Sequence, residues 1–168
     1  EAKVFAGALA VLATAAIIFG AFGSYGQMDF KRLVAYSSVN HMGFVVLGIA
    51  AAGLASGTTD AHIAMNGAVL QMFNHGLSAA GMFFLVGVIY ERTHTRNLDE
   101  YGGIFPLAPV YGGILIFTAM ASLGLPGLGN FVAEFLVLVG AYRVSLVLTV
   151  IATIGLVAAT VYALSLIQ

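Results

Sequence analysis

The sequence contains no cysteine and no tryptophan, only three prolines, and charged residues at just 8% of its 168 positions. Without thiols there can be no disulfide, no thiolate nucleophile and no cysteine-ligated metal cluster. So little charge argues against an ordinary water-soluble domain, where about 25% of residues are charged. Six Lys and Arg stand against seven Asp and Glu, a net charge of −1, and no basic cluster points to nucleic acid. No two of the four histidines share a predicted helix at ligand spacing, so no metal site is expected. A glycine-rich phosphate loop and a nucleophile–base pair are missing as well.

What is present is apolar. Hydrophobic residues make up 61% of the chain and the mean hydropathy is +1.03. Five apolar runs stand out, at 4–25, 33–54, 63–90, 107–140 and 144–168. A helix needs about 20 residues to cross the hydrocarbon of a bilayer, and each run is long enough. The expected fold is an all-α integral membrane protein, with five transmembrane helices in one domain over 1–168. The 21 glycines suit it, because helices in lipid approach through small residues. The sequence starts at Glu1 without a methionine and stops within an apolar run, which suggests a piece of a longer protein. Its first 20 residues lack the basic segment and cleavage site of a signal peptide. Lys31, Arg32, Arg92 and Arg96 lie in the first and third loops, against Lys3 and Arg143 on the other side. That bias predicts the first and third loops on the cytoplasmic or equivalent face.

The fourth run is long because it contains helix breakers: Gly124, Pro126, Gly127 and Gly129. Pro126 has no N–H to give and clashes with the preceding turn, so a break is predicted at Gly124–Gly129. Broken backbone inside a membrane is tolerated only where protein buries it or a wet cavity lies beside it. Just after the break stands Glu134, an acid flanked on both sides by apolar sequence. A carboxylate there costs about 2.5–3.5 kcal/mol on insertion scales and marks a functional candidate. A broken helix beside a buried acid is a pattern of ion transporters. Asn130 precedes Glu134 by four residues and shares its helix face.

Two further runs carry polar residues. In the second, Ser37 and His41 are four apart and share a face. Counted from Leu33, His41 falls about 12 Å along the axis, a third of the way in. In the third run Gln71, His75 and Ser78 form one stripe, with Asn74 beside it and His75 near the midplane. Histidine titrates near neutrality and can pass a proton through ordered water. The alternative for all these groups is structural, as polar glue between helices. His62 and His94, at run ends, are expected to be solvated, and Thr149, Thr153 and Thr160 to serve packing.

Several segments carry a family resemblance. The segment 29–43, DFKRLVAYSSVNHMG, resembles the signature of antiporter-like membrane subunits of NADH:quinone oxidoreductase, respiratory complex I. The segments 71–80, QMFNHGLSAA, 90–96, YERTHTR, and 125–134, LPGLGNFVAE, resemble the M-type member, called subunit 4 in mitochondria. The resemblance covers nearly the whole chain. It implies spans nine to thirteen of a fourteen-span core, the second of two inverted five-helix repeats. It implies a proton path in which His75 and His41 relay to a terminal Glu134, with Ser37, Gln71, Asn74, Ser78 and Asn130 in support. It implies no cofactor in this chain; NADH, FMN, iron–sulfur clusters and quinone would belong to partner subunits. Its partners would be neighbouring membrane subunits, the lipid bilayer, protons and internal water, in a bacterial inner membrane or an organellar energy-transducing membrane. The related multi-subunit sodium/proton antiporters share much of the motif set and form the alternative, beside a purely structural scaffold.

Overall fold

The computed structural model describes residues 2–167, and every regular element among them is a helix. Helix α1 is Ala2–Tyr25, α2 Phe30–Leu54, α3 Thr59–Thr93, α4 Ile104–Leu107, α5 Pro109–Ser122, α6 Gly129–Tyr142 and α7 Leu146–Ser165. A 3₁₀ turn, Leu98–Glu100, precedes α4. Four helices are long and apolar enough to cross a membrane: α1 from Lys3 onward, α2, α3 and α7. The other two apolar helices, α5 and α6, have 14 residues each. Gln168, where the last predicted run ends, lies outside the described residues.

Local chemistry sets the helix ends. Asp29 caps α2 by accepting from the Arg32 N–H at 3.0 Å. Thr58 caps α3 in the same way through the Ala61 N–H, at 3.3 Å. These caps start α2 three residues and α3 four residues ahead of the apolar runs at 33–54 and 63–90, because hydropathy does not see a polar first turn. At its far end α3 runs on to Thr93, where His94 turns into the left-handed region and its N–H closes on Tyr90 O at 2.8 Å. His94 and His62 are exposed, as expected of run ends. The turn before α2 is tied to the loop after α3: the Phe30 N–H donates to Arg96 O at 2.9 Å and the Leu98 N–H to Met28 O at 2.8 Å.

Helix α5 ends at Ser122 and α6 begins at Gly129. Gly124 has φ +74° and Gly127 φ +105°, left-handed values that favour glycine. Residue 129, included in the predicted break, is already helical.

The packing is made by small residues. A Cβ on Gly67 of α3 would stand 2.7 Å from Val137 N and 2.8 Å from Ala133 O on α6. A Cβ on Gly140 of α6 would stand 2.7 Å from Ala64 N on α3. The two backbones therefore touch at both points, as small residues allow in lipid. One apolar core joins Ala13 and Ile17 of α1, Phe44 and Leu47 of α2, Ala64 of α3, Val137 of α6 and Ala152 of α7. The outside is apolar too: Phe19, Phe84 and Leu107 are 75%, 77% and 86% exposed. Large apolar side chains this exposed need a non-aqueous neighbour.

Candidate functional site

Glu134 projects from the second turn of α6 toward the seam between α2 and α3, and is 1% exposed. Its Oε1 accepts two hydrogen bonds. One comes from Gln71 Nε2 of α3 at 2.8 Å. The other contact is His41 Nδ1 of α2 at 2.6 Å. With Glu134 ionised, Nδ1 carries the hydrogen and donates. The second carboxylate oxygen, Oε2, is buried with no partner among the described residues. It lies toward the gap between α5 and α6: a Cβ added at Gly124 would stand 3.4 Å from it.

His41 is also 1% exposed, and its second nitrogen is engaged: Nε2 and the Tyr162 hydroxyl of α7 are 3.2 Å apart. The His75 ring lies 5.3 Å from the His41 ring, centroid to centroid, at 40°. His75 Nε2 is 3.0 Å from Ser38 Oγ, while its buried Nδ1 has no partner among the described residues. The three ionisable groups thus form one continuous cluster, Glu134 against His41 and His41 beside His75. Each group comes from a different helix.

A second polar group lies at the gap between α5 and α6. Asn130 Nδ2 donates to Ala121 O at 2.8 Å, taking up a carbonyl in the last turn of α5. It also reaches Ser78 Oγ of α3 at 3.2 Å. Asn130 therefore ties the start of α6 to the end of α5, where no side chain caps α6. Asn74 packs on Gly129, where an added Cβ would stand 2.6 Å from Asn74 Nδ2. Asn74, Ser78, Thr118 and Asn130 help line a cavity of about 240 Å³ beside the gap.

Counted from the start of α2 at Phe30, His41 lies about 16 Å along the axis, near the helix middle. The Ser37 hydroxyl donates to its own helix, to Val34 O at 2.8 Å. The serine that meets a histidine is its neighbour Ser38. Nothing in the spacing of Tyr162 and Ser38 shows which residues of other helices they face. A tyrosine inside an apolar run, whose hydroxyl needs a partner there, is the available signal for Tyr162. The α7 threonines behave as expected: Thr149, Thr153 and Thr160 each donate to the carbonyl four residues back.

Residues 2–160 match the family model described as NADH:quinone oxidoreductase/Mrp antiporter, TM. NADH-quinone oxidoreductase subunit M of Pseudomonas aeruginosa is 52% identical over 152 residues, 90% of this chain and 28% of the relative. A chain of respiratory complex I from Thermus thermophilus, solved with bound NADH, superposes with a TM-score of 0.88 at 34% identity. That match covers 97% of this chain and 33% of the Thermus chain. A chain of the Mrp complex from Dietzia sp. DQ12-45-1b superposes with a TM-score of 0.85 at 20% identity, over 98% of this chain and 29% of the other. The chain thus spans about a third or less of the length of these relatives.

Proposed function

The chain belongs to the NADH:quinone oxidoreductase/Mrp antiporter family of transmembrane proteins, and from that premise we propose that it is part of a proton-translocating membrane subunit of NADH:quinone oxidoreductase. The 52% identity to a subunit M supports this reading over a sodium/proton antiporter, since the likeness to the Mrp chain, at 20%, is one of fold. In this reading the protein resides in a bacterial inner membrane or an organellar energy-transducing membrane, beside other membrane subunits. Those partners hold NADH, FMN, iron–sulfur clusters and quinone, and this chain takes no part in the redox chemistry. The single domain over 1–168 crosses the membrane five times, with α5 and α6 as two halves of one interrupted crossing. Neither half alone reaches the roughly 20 residues a crossing needs.

The observation that carries the proposal is the buried contact between Glu134 and His41, with His75 alongside. His75 gives up a proton, ordered water carries it to Nε2 of His41, and the imidazolium so formed passes its Nδ1 hydrogen to Glu134 Oε1. Glu134 is the terminal loading site. Gln71 holds Oε1 in place, and Asn130, Ser78 and Asn74 order water at the gap beside Oε2. Ser37 supports the His41 end. An unpaired charge in a low-dielectric interior is expensive, so electron transfer elsewhere in the complex can drive release by altering what faces Oε2.

The test is Glu134→Gln in the assembled complex. Gln keeps the shape of the side chain but cannot take up or release a proton. Proton uptake into membrane vesicles, measured beside quinone reduction, is nearly abolished, falling about a hundredfold or more, the range general acid–base groups contribute. The helices stay packed, since removing a buried charge is neutral or stabilising once its partners are satisfied. Wild-type pumping with normal assembly would leave Glu134 a structural residue only.

A further inference from the structure

We propose that Tyr162 is a positioning residue for the proton on His41, a hydroxyl that switches between donor and acceptor as His41 loads; the proposal rests on the relay above. The geometry is specific. His41 is held at both nitrogens: Nδ1 stands 2.6 Å from Glu134 Oε1 and Nε2 stands 3.2 Å from the Tyr162 hydroxyl. Tyr162 is 2% exposed, so water from outside the helices does not replace it. The titratable groups facing His41 are Glu134 from α6, His75 from α3 and Tyr162 from α7. The titratable groups of α1 are Lys3 and Tyr25, both exposed at its ends.

Proton counting assigns the role. With Glu134 ionised and His41 neutral, Nδ1–H donates to the carboxylate, so Nε2 bears a lone pair and accepts from the Tyr162 O–H. Adding one proton changes only the far nitrogen. His41 becomes imidazolium, Nε2–H donates, and the phenol oxygen must accept. If the Nδ1 proton then moves to Glu134, His41 is left as the neutral Nε2–H tautomer and the phenol still accepts. A hydroxyl can play both parts by rotating its hydrogen, which neither a carbonyl nor an amide N–H can do. The hydrogen turned away needs an acceptor. Ser37, four residues before His41 on the same face of α2, can serve: it gives its own hydrogen to Val34 O at 2.8 Å, which leaves its oxygen able to accept. Ser37 thereby supports the relay through Tyr162, without touching a histidine. The other polar side chains of α7 differ: the three threonines and Ser165 bond within their own helix, and only Tyr162 reaches across.

The experiment is the pH profile of proton pumping in vesicles carrying the intact complex, for Tyr162→Phe, Ser37→Ala and Glu134→Gln. Phe leaves Nε2 unpartnered in both states, and the loaded state suffers more because its nitrogen is a charged donor. The alkaline limb of the profile moves about one pH unit to lower pH, so pumping falls about tenfold there and recovers on the acid side. Ser37→Ala shifts it the same way by a smaller amount, and carries the test alone if Tyr162→Phe fails to assemble. A uniform loss at every pH, or a wild-type profile, overturns the proposal. If Glu134→Gln abolishes pumping while the Phe profile is unchanged, the relay stands and only the role of Tyr162 fails. If Glu134→Gln pumps normally, the relay itself has failed.

Discussion

The threonines of α7 and the polar side chains between α2, α3 and α6 meet the same difficulty in opposite ways. A polar group in an apolar surrounding needs a hydrogen bond. Thr149, Thr153 and Thr160 find it in the carbonyl four residues back, inside their own helix. His41, Gln71, Asn130 and Glu134 find theirs only on other helices. The first solution is closed by local geometry and asks nothing of the fold. The second depends on how four helices, α2, α3, α5 and α6, sit against one another, and it leaves atoms over. Glu134 Oε2, Gln71 Oε1, Asn130 Oδ1 and His75 Nδ1 are buried with no partner among the described residues. Self-contained bonding marks a packing role. Shared bonding with atoms to spare suits a site whose contacts change as protons move.

The largest disruption of this contrast is expected from Gly67→Leu. The glycine brings α3 within backbone contact of α6, and any Cβ there meets Val137 N and Ala133 O, which cannot yield as a flexible side chain could. Overpacking of this kind costs about 1–3 kcal/mol or more. The bond from Gln71 to Glu134 is lost with the approach, while the α7 threonine bonds persist. Blue-native electrophoresis should show little or no assembled complex; normal assembly with wild-type pumping would mean the close approach does not hold the site.

A finer test sets one polar group of each kind side by side. Gln71→Leu removes a donor to the carboxylate, and a hydrogen bond to a charged group is worth about 1.5–3 kcal/mol. Pumping should fall roughly tenfold, with the complex intact. Thr153→Val removes a hydroxyl bonded to its own helix and should change stability by no more than about 0.5 kcal/mol, with pumping unaltered. Equal effects of the two substitutions would erase the distinction between the regions.

Much of this contrast was legible before any coordinates. Helical spacing placed Gln71, His75 and Ser78 on one face and Asn130 with Glu134 on another, and these residues do converge. Pro126 among glycines marked the stretch where α5 ends and α6 begins. Hydropathy hides the polar first turn of α2, which the Asp29 cap starts at Phe30, three residues before the apolar run. Ser37 shares a face with His41, yet the face of Ser38 is the one that meets His75. Tyr162 is hidden for a deeper reason: α7 packs on α1, where Gly155 meets Ile17, and periodicity within one helix cannot report that its tyrosine then reaches His41 of α2. Spacing reveals which side chains share a face; it does not reveal what that face meets.

The central claim is that His41 and Glu134 act as one proton-holding unit, and a double-mutant cycle on pumping tests it most directly. Glu134→Asp keeps the acid but draws it back by one methylene, and His41→Gln keeps a polar side chain without the titrating ring. Each opens the same 2.6 Å contact from one side. In residues that work as a unit, losses do not multiply. The double variant should therefore pump within about twofold of the weaker single variant. Losses that multiply, as for independent sites, would contradict the shared unit and return each residue to a separate role.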